Sequence, residues 1–158
     1  MAVQHEVAGP VLVTYQASPV DLGYTRDGAQ IRFDPRFIDI FSDDYGGQSG
    51  APADAQIVGA TVQVTAELTK YDKAVCHALT AFSAGGTAFT LPVYGTLMRQ
   101  GSKLAPLILN GANEDWTFSK AFPRSAIEMN KGTKFSTFQC GFECWVDASS
   151  TRVMCTLV

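Results

Sequence analysis

Between Thr61 and Leu68 the chain alternates without a break: Val62, Val64, Ala66 and Leu68 are apolar, and Thr61, Gln63, Thr65 and Glu67 are polar. A period of two predicts a strand with one packed face and one wet face. The period then lengthens. Tyr71, Ala74, Val75, Ala78, Leu79 and Phe82 recur every three or four residues, which predicts one helix over about 69–82. Its core face would be Tyr71, Val75, Leu79 and Phe82. Thr69 with Asp72 three residues on resembles a capping box, and Ser83-Ala84-Gly85-Gly86 supplies residues that end a helix.

The remainder predicts strands. Val11 to Tyr15 is a short apolar run, and Val20, Leu22 and Tyr24 alternate with Asp21, Gly23 and Thr25 before the turn signal Arg26-Asp27-Gly28. Ile31 and Phe33 resume the alternation, so Val20 to Phe33 is expected to be a hairpin centred on Asp27-Gly28. Pro35 cannot donate to a ladder and marks an edge or a break. Phe89, Leu91 and Val93 predict a strand that continues to Met98, Lys103 to Leu109 predicts another, and Asn110-Gly111 is a strong turn dipeptide. Trp116 and Phe118 point one way, with Thr117 and Ser119 opposite. Ile127 and Met129 lead to a turn at Asn130-Lys131-Gly132. Phe138, Cys140, Phe142 and Cys144 share one face, Thr137, Gln139, Glu143 and Trp145 the other, and Val153, Cys155 and Leu157 form a last strand. About eight or nine strands with turn signals roughly every ten residues make the fold mainly β, a β-sandwich or partly closed barrel with one flanking helix.

The segment Phe41 to Val58 fits neither period. It contains Asp43-Asp44, Gly46-Gly47, Gly50 and Pro52, and loops of such length in compact domains are either functional or disordered. Its flanks are apolar: Phe37 to Phe41 before it, Ile57-Val58 after it. These flanks are expected to pair as the base of a long hairpin with the Gly-rich part as its tip. The segment is either an arm that orders against a neighbouring subunit, which the apolar flanks favour, or a floppy surface loop.

Length and charge narrow the function. The 158 residues, 46% of them hydrophobic, suit a single domain (1–158) with a flexible N-terminus over 1–9. Charged residues are 17% and the net charge is −3, which disfavours gripping nucleic acid through phosphates. The first ten residues have no basic leader or apolar core, and no run approaches the roughly 20 apolar residues of a bilayer span. The expectation is a soluble protein made in a cytoplasm, its four cysteines reduced and packed as small hydrophobes.

No catalytic constellation emerges. His5 and His77 lack a nucleophile motif, and Cys76 beside His77 on a helix would point about 100° away from it. Asp43-Asp44 and Glu114-Asp115 lack the ligand spacing of a calcium loop, and there is no GxxxxGK[ST], GxGxxG or HExxH. No enzyme activity, cofactor or metal is expected.

The order of features is more informative. Val20-Asp21-Leu22-Gly23-Tyr24-Thr25-Arg26-Asp27-Gly28, an extended segment, an acidic Gly/Pro arm, then Val58-Gly59-Ala60-Thr61-Val62-Gln63-Val64-Thr65-Ala66-Glu67-Leu68 and a helix together resemble the tail tube proteins of tailed bacteriophages. Glu114-Asp115-Trp116-Thr117-Phe118-Ser119-Lys120-Ala121 is similar to that family's strand leading into its last hairpin. The resemblance implies a virion protein whose copies form hexameric rings that stack into a hollow tube, in contact with other tail proteins. It implies an inter-subunit arm at Phe41, Asp43, Asp44, Tyr45, Gly46, Gly47, Pro52, Asp54 and Ile57. It also implies that DNA passes through the lumen without specific binding, since six copies at −3 each give on the order of −18. Assembly would take place in the host bacterial cytoplasm, away from membranes. The alternatives within this class are a tail terminator, a head-tail connector or a capsid cement protein; outside it, a small-molecule-binding sandwich or enzyme finds no convergent polar set.

Overall fold

A computed structural model describes residues 9–16, 18–69, 75, 79, 95, 97, 104–112, 114–124, 128–129, 138–147 and 155–157. These form strands β1 (Leu12–Tyr15), β2 (Val20–Ile40), β3 (Asp54–Leu68), β4 (Ala105–Asn110), β5 (Asp115–Pro123), β6 (Glu128–Met129), β7 (Phe138–Cys144) and β8 (Cys155–Leu157). Every pairing is antiparallel, and the order across the sheet is β6-β7-β3-β2-β1-β4-β5-β8. β7 also pairs β5, Ala121 opposite Cys144 and Pro123 opposite Phe142. That second pairing bends one sheet back on itself, so the described strands form a ring rather than two separate layers.

The core fills the ring. Val62, Val64, Ala66 and Leu68 of β3 are buried as their alternation requires, as are Cys140, Phe142 and Cys144 of β7. Val13 and Tyr15 come from β1, Leu107 and Leu109 from β4, and Phe118 and Ala121 from β5. Full burial of a side chain such as Phe118 contributes roughly 1.5–3 kcal/mol. Tyr15 packs its ring 5.1 Å from that of Phe142. Its hydroxyl donates to the Ala121 carbonyl at 3.3 Å, so the one polar atom of this core ring is satisfied.

The Asp27-Gly28 hairpin does not exist. β2 runs through it as one strand of 21 residues, and the turn signal is spent on a bulge between Thr25 and Ala29. Thr25 opposes Leu68 and Ala29 opposes Ala66, leaving extra residues on β2, and Gly28 supplies a φ of +91° for them. A second irregularity, between Val13 and Thr14, coincides with a φ of +124° at Gly23. Leu22 stays buried, but Tyr24, expected on the same face, is turned out to solvent.

The helix expected over 69–82 lies almost wholly outside the described residues, Tyr71 and Phe82 included. Val75 and Leu79 are described; both have helical backbone and both are fully buried in the core cluster. The strand expected from Phe89 to Met98 also lies outside them, apart from Gly95, a turn residue with φ +82°, and Leu97.

Candidate assembly interface

Only part of β2 and β3 belongs to the ring. β1 covers β2 from Val20 to Tyr24, and β7 covers β3 from Val62 to Leu68. Beyond those limits the two strands pair, among the described residues, only with each other, from Asp34 opposite Thr61 to Ile40 opposite Asp54. The result is a two-stranded ribbon that leaves the body, and at about 3.3 Å per residue it carries its tip roughly 20 Å outward. The expected pairing of the apolar flanks is therefore present, with the loop shortened to 41–53 because β2 and β3 reach further than the polar composition suggested.

Sequence alternation assigns the ribbon's faces. Val62 and Val64 point into the core, so their partners Phe33 and Ile31 share that side, and Pro35 and Phe37 follow at intervals of two. A bulge at Val58 lets Phe37 face Ile57 directly. The inward face of the body thus continues outward as an apolar stripe, and beyond Phe33 no described residue outside the ribbon shields it from solvent. Phe37 is 54% exposed and Ile57 67%. Ile38, Ile40, Phe41 and Val58 are exposed as well. Where the stripe meets the body, the Phe33 ring lies 6.3 Å from that of Trp116.

The tip closes on itself. Two short 3-10 turns, Asp43–Tyr45 and Gly47–Ser49, are linked by Gly46 and Gly47, both with positive φ. The Ser42 carbonyl accepts from the Tyr45 and Gly47 amides, and Ala53 N–H donates to the Ile40 carbonyl at 2.8 Å. Gly50 is required by space: a Cβ there would fall 1.8 Å from the Tyr45 carbonyl oxygen. The loop is thus not structureless: its turns are closed by hydrogen bonds within the chain. Tyr45 stands out from it, 63% exposed. Pro52 is exposed beyond the second turn, and Asp54 accepts from the Ala55 amide at 2.7 Å as β3 begins. All nine residues expected on the arm lie on this ribbon or its tip.

One polar cluster gave no sequence signal. Glu143, assigned to a wet face by alternation, is only 7% exposed. Arg124 pairs with its Oε2, and Trp145 Nε1 donates to its Oε1 at 2.8 Å, so both oxygens are answered. Arg124 follows β5 directly, and the link arises from the β5–β7 ring closure, which no local pattern announces. Among the described residues there is no group of His, Cys, Asp and Glu able to hold a metal, and no helix long and apolar enough to cross a membrane.

No family model matches the chain, and no curated protein matches it by sequence. Solved structures do. The tail of an empty gene transfer agent particle, refined with C6 symmetry, superposes with a TM-score of 0.51 at 8% identity, covering 84% of this chain and 89% of that one. The PVC sheath/tube terminator of an extracellular contractile injection system in its extended state gives 0.50 at 10% identity, covering 99% of each. The anti-feeding prophage cap, a tube-terminating cap, gives 0.50 at 14% identity, covering 100% of this chain and 94% of that one.

The chain has the phage tail-tube fold. The structures that share it here are structural parts of tail assemblies, not enzymes. Among the described residues, Phe33, Phe37, Ile38, Ile40, Phe41, Tyr45, Ile57 and Val58 are exposed large hydrophobics that all lie on the ribbon or its tip.

Proposed function

We propose that this protein is the repeating subunit of a tail tube. Six copies close a ring, rings stack through the β2–β3 ribbon, and the resulting lumen conducts DNA without binding it specifically. The helical segment over about 69–82 lies against the sheet, with Val75 and Leu79 as its buried side. Assembly occurs in the cytoplasm of a host bacterium, and the product is part of the virion tail together with other tail proteins.

The observation that carries this reading is the ribbon, whose outer half has no further strand paired to it among the described residues. A two-stranded hairpin is marginal in water, and an apolar stripe on it is a liability for a monomer. Ring stacking removes both costs by burying Phe37, Ile57 and Tyr45 against a neighbour. The acidic balance of −3 per subunit suits a lumen that does not hold phosphates.

A second reading, a ring that ends a tube, is favoured by one observation: the likeness to a terminator and to a cap extends over 99% and 100% of this chain. Negative-stain microscopy with native mass spectrometry of the purified protein separates the two. A tube subunit gives hexamers that stack into filaments as concentration rises. A terminator gives closed rings that never stack, and a persistent monomer overturns both.

A further inference from the structure

The ribbon's second face differs in chemistry from its apolar one. At its root Arg32, Asp34 and Arg36 alternate along β2, opposite Gln63, Thr61 and Gly59 of β3. Asp34, Arg36, Thr61, Gln63, Arg124 and Glu143 line a polar hollow there of about 430 Å³. Arg32 pairs with Asp34 at 3.9 Å, and Arg124 pairs with Glu143. Arg36 has no acidic partner within salt-bridge distance among the described residues, so the hollow and its rim hold one cation in excess.

The far end of the same ribbon has the opposite imbalance. From Phe37 to Ala66 the chain carries Asp39, Asp43, Asp44 and Asp54 and not one Lys or Arg. Among the described residues none of these four carboxylates is ion-paired. The ladder from Arg36–Gly59 to Ile40–Asp54 holds the ribbon extended, so the chain does not fold its own tip back to its own root. The tip stands roughly 15–20 Å from Arg36.

We propose that Asp43 and Asp44 at the tip of one copy seat in the Arg36–Arg124 hollow at the ribbon root of a second copy. This rests on the tube reading and supplies the polar half of its stacking contact. The contact is head-to-tail: each copy offers a tip and a root, so it repeats without limit along an axis. Ile38 and Ile40, exposed on the same face two and four residues beyond Arg36, once covered, exclude water and strengthen the pairing of Arg36 with the incoming carboxylates. Glu143 keeps Arg124 aimed across the hollow, while Arg36 is the cation gained by the incoming tip.

Charge exchange tests it. Wild type, Asp43→Lys/Asp44→Lys, Arg36→Glu, and the combination of all three are compared by sedimentation for the concentration at which filaments appear. Arg36→Glu is chosen because Arg36 makes no ion pair among the described residues, whereas Arg124→Glu would strand the buried Glu143. Unchanged circular dichroism and melting certify each monomer. Each partial variant is expected to raise the critical concentration about tenfold or more, the combination to recover most of it, and added salt to weaken wild type and the combination but not the partial variants. If wild type forms filaments and every variant does so equally well, the tip–root contact is overturned while the tube reading stands; a tip occupied by some other protein would give this same result. If wild type never assembles at any concentration or salt, both fall together.

Discussion

Phe37 and Ile57 are cross-strand partners in the outer half of the β2–β3 ribbon, and each exposes more than half its surface. Inside a body such a pair would stabilise the sheet through its burial; here, among the described residues, the two side chains face each other and stay largely exposed. Phe37→Ser with Ile57→Ser should therefore change the monomer's unfolding free energy by no more than about 1 kcal/mol, the range of a cross-strand pair. The same substitutions should abolish ring stacking. Urea titration and electron microscopy of one preparation check both halves, and a double variant that still forms filaments would remove the ribbon from the interface.

The tip can be tested separately from the stripe. Gly50→Ala places a Cβ against the Tyr45 carbonyl, so the two 3-10 turns must rearrange while β2 and β3 remain paired. Deleting Asp43 to Pro52 removes the turns altogether. Both changes should leave the monomer's melting temperature within a few degrees, since the tip buries nothing in the ring of strands. Assembly should be impaired by the first and lost in the second. Loss of the monomer fold on deletion would mean that the tip nucleates the hairpin.

The contrast between stripe and ring also explains what could be seen in the sequence. Val62 to Leu68 and Cys140 to Cys144 were legible because each strand has one wet face, so burial is written as alternation. The hairpin base at Phe37 to Phe41 and Ile57-Val58 was legible from its apolar flanks. Asp27-Gly28 misled because a glycine with positive φ serves a bulge as well as a turn, and nothing nearby in sequence distinguishes them. Alternation points Tyr24 inward, but the pattern does not survive the irregularity at Gly23, and Tyr24 is exposed. Glu143 was invisible for a different reason: its burial comes from the pairing of β7 with β5, a contact between distant segments.

Leu79 connects the helical segment to this core. It is fully buried among the same cluster as Leu68 and Phe142. Leu79→Ala should cost roughly 2–4 kcal/mol through the cavity it leaves. Val75→Ala, a smaller truncation on the same segment, should cost less. Chemical denaturation of the two variants measures this, and a loss below about 1 kcal/mol for Leu79→Ala would mean that the segment contributes little to the fold.

The buried thiols give the monomer a pH dependence whose sign is fixed by their surroundings. Desolvation pushes Cys140 from 9.0 up to about 12, with a smaller opposing effect from its hydrogen bond to the Ala66 carbonyl. Burial likewise pushes Cys144 up to about 12, helped by Cys155 and Glu143 nearby. A raised pKa means that the fold favours the neutral thiol. That stability is complete below about pH 9, where both states keep the proton, and is lost progressively between about pH 9 and 12. Each thiol removes up to about 1.4 kcal/mol per pH unit in that window. Tyr15, raised by the same desolvation, adds to the loss at the alkaline end. Denaturation midpoints should hence be flat from pH 7 to 8.5 and fall above it, and Cys140→Ala with Cys144→Ala should make the fall shallower. Iodoacetamide at pH 8 should modify the half-buried Cys155 before either of them; rapid labelling of Cys140 in the folded protein would show that the ring of strands opens far more readily than its packing implies.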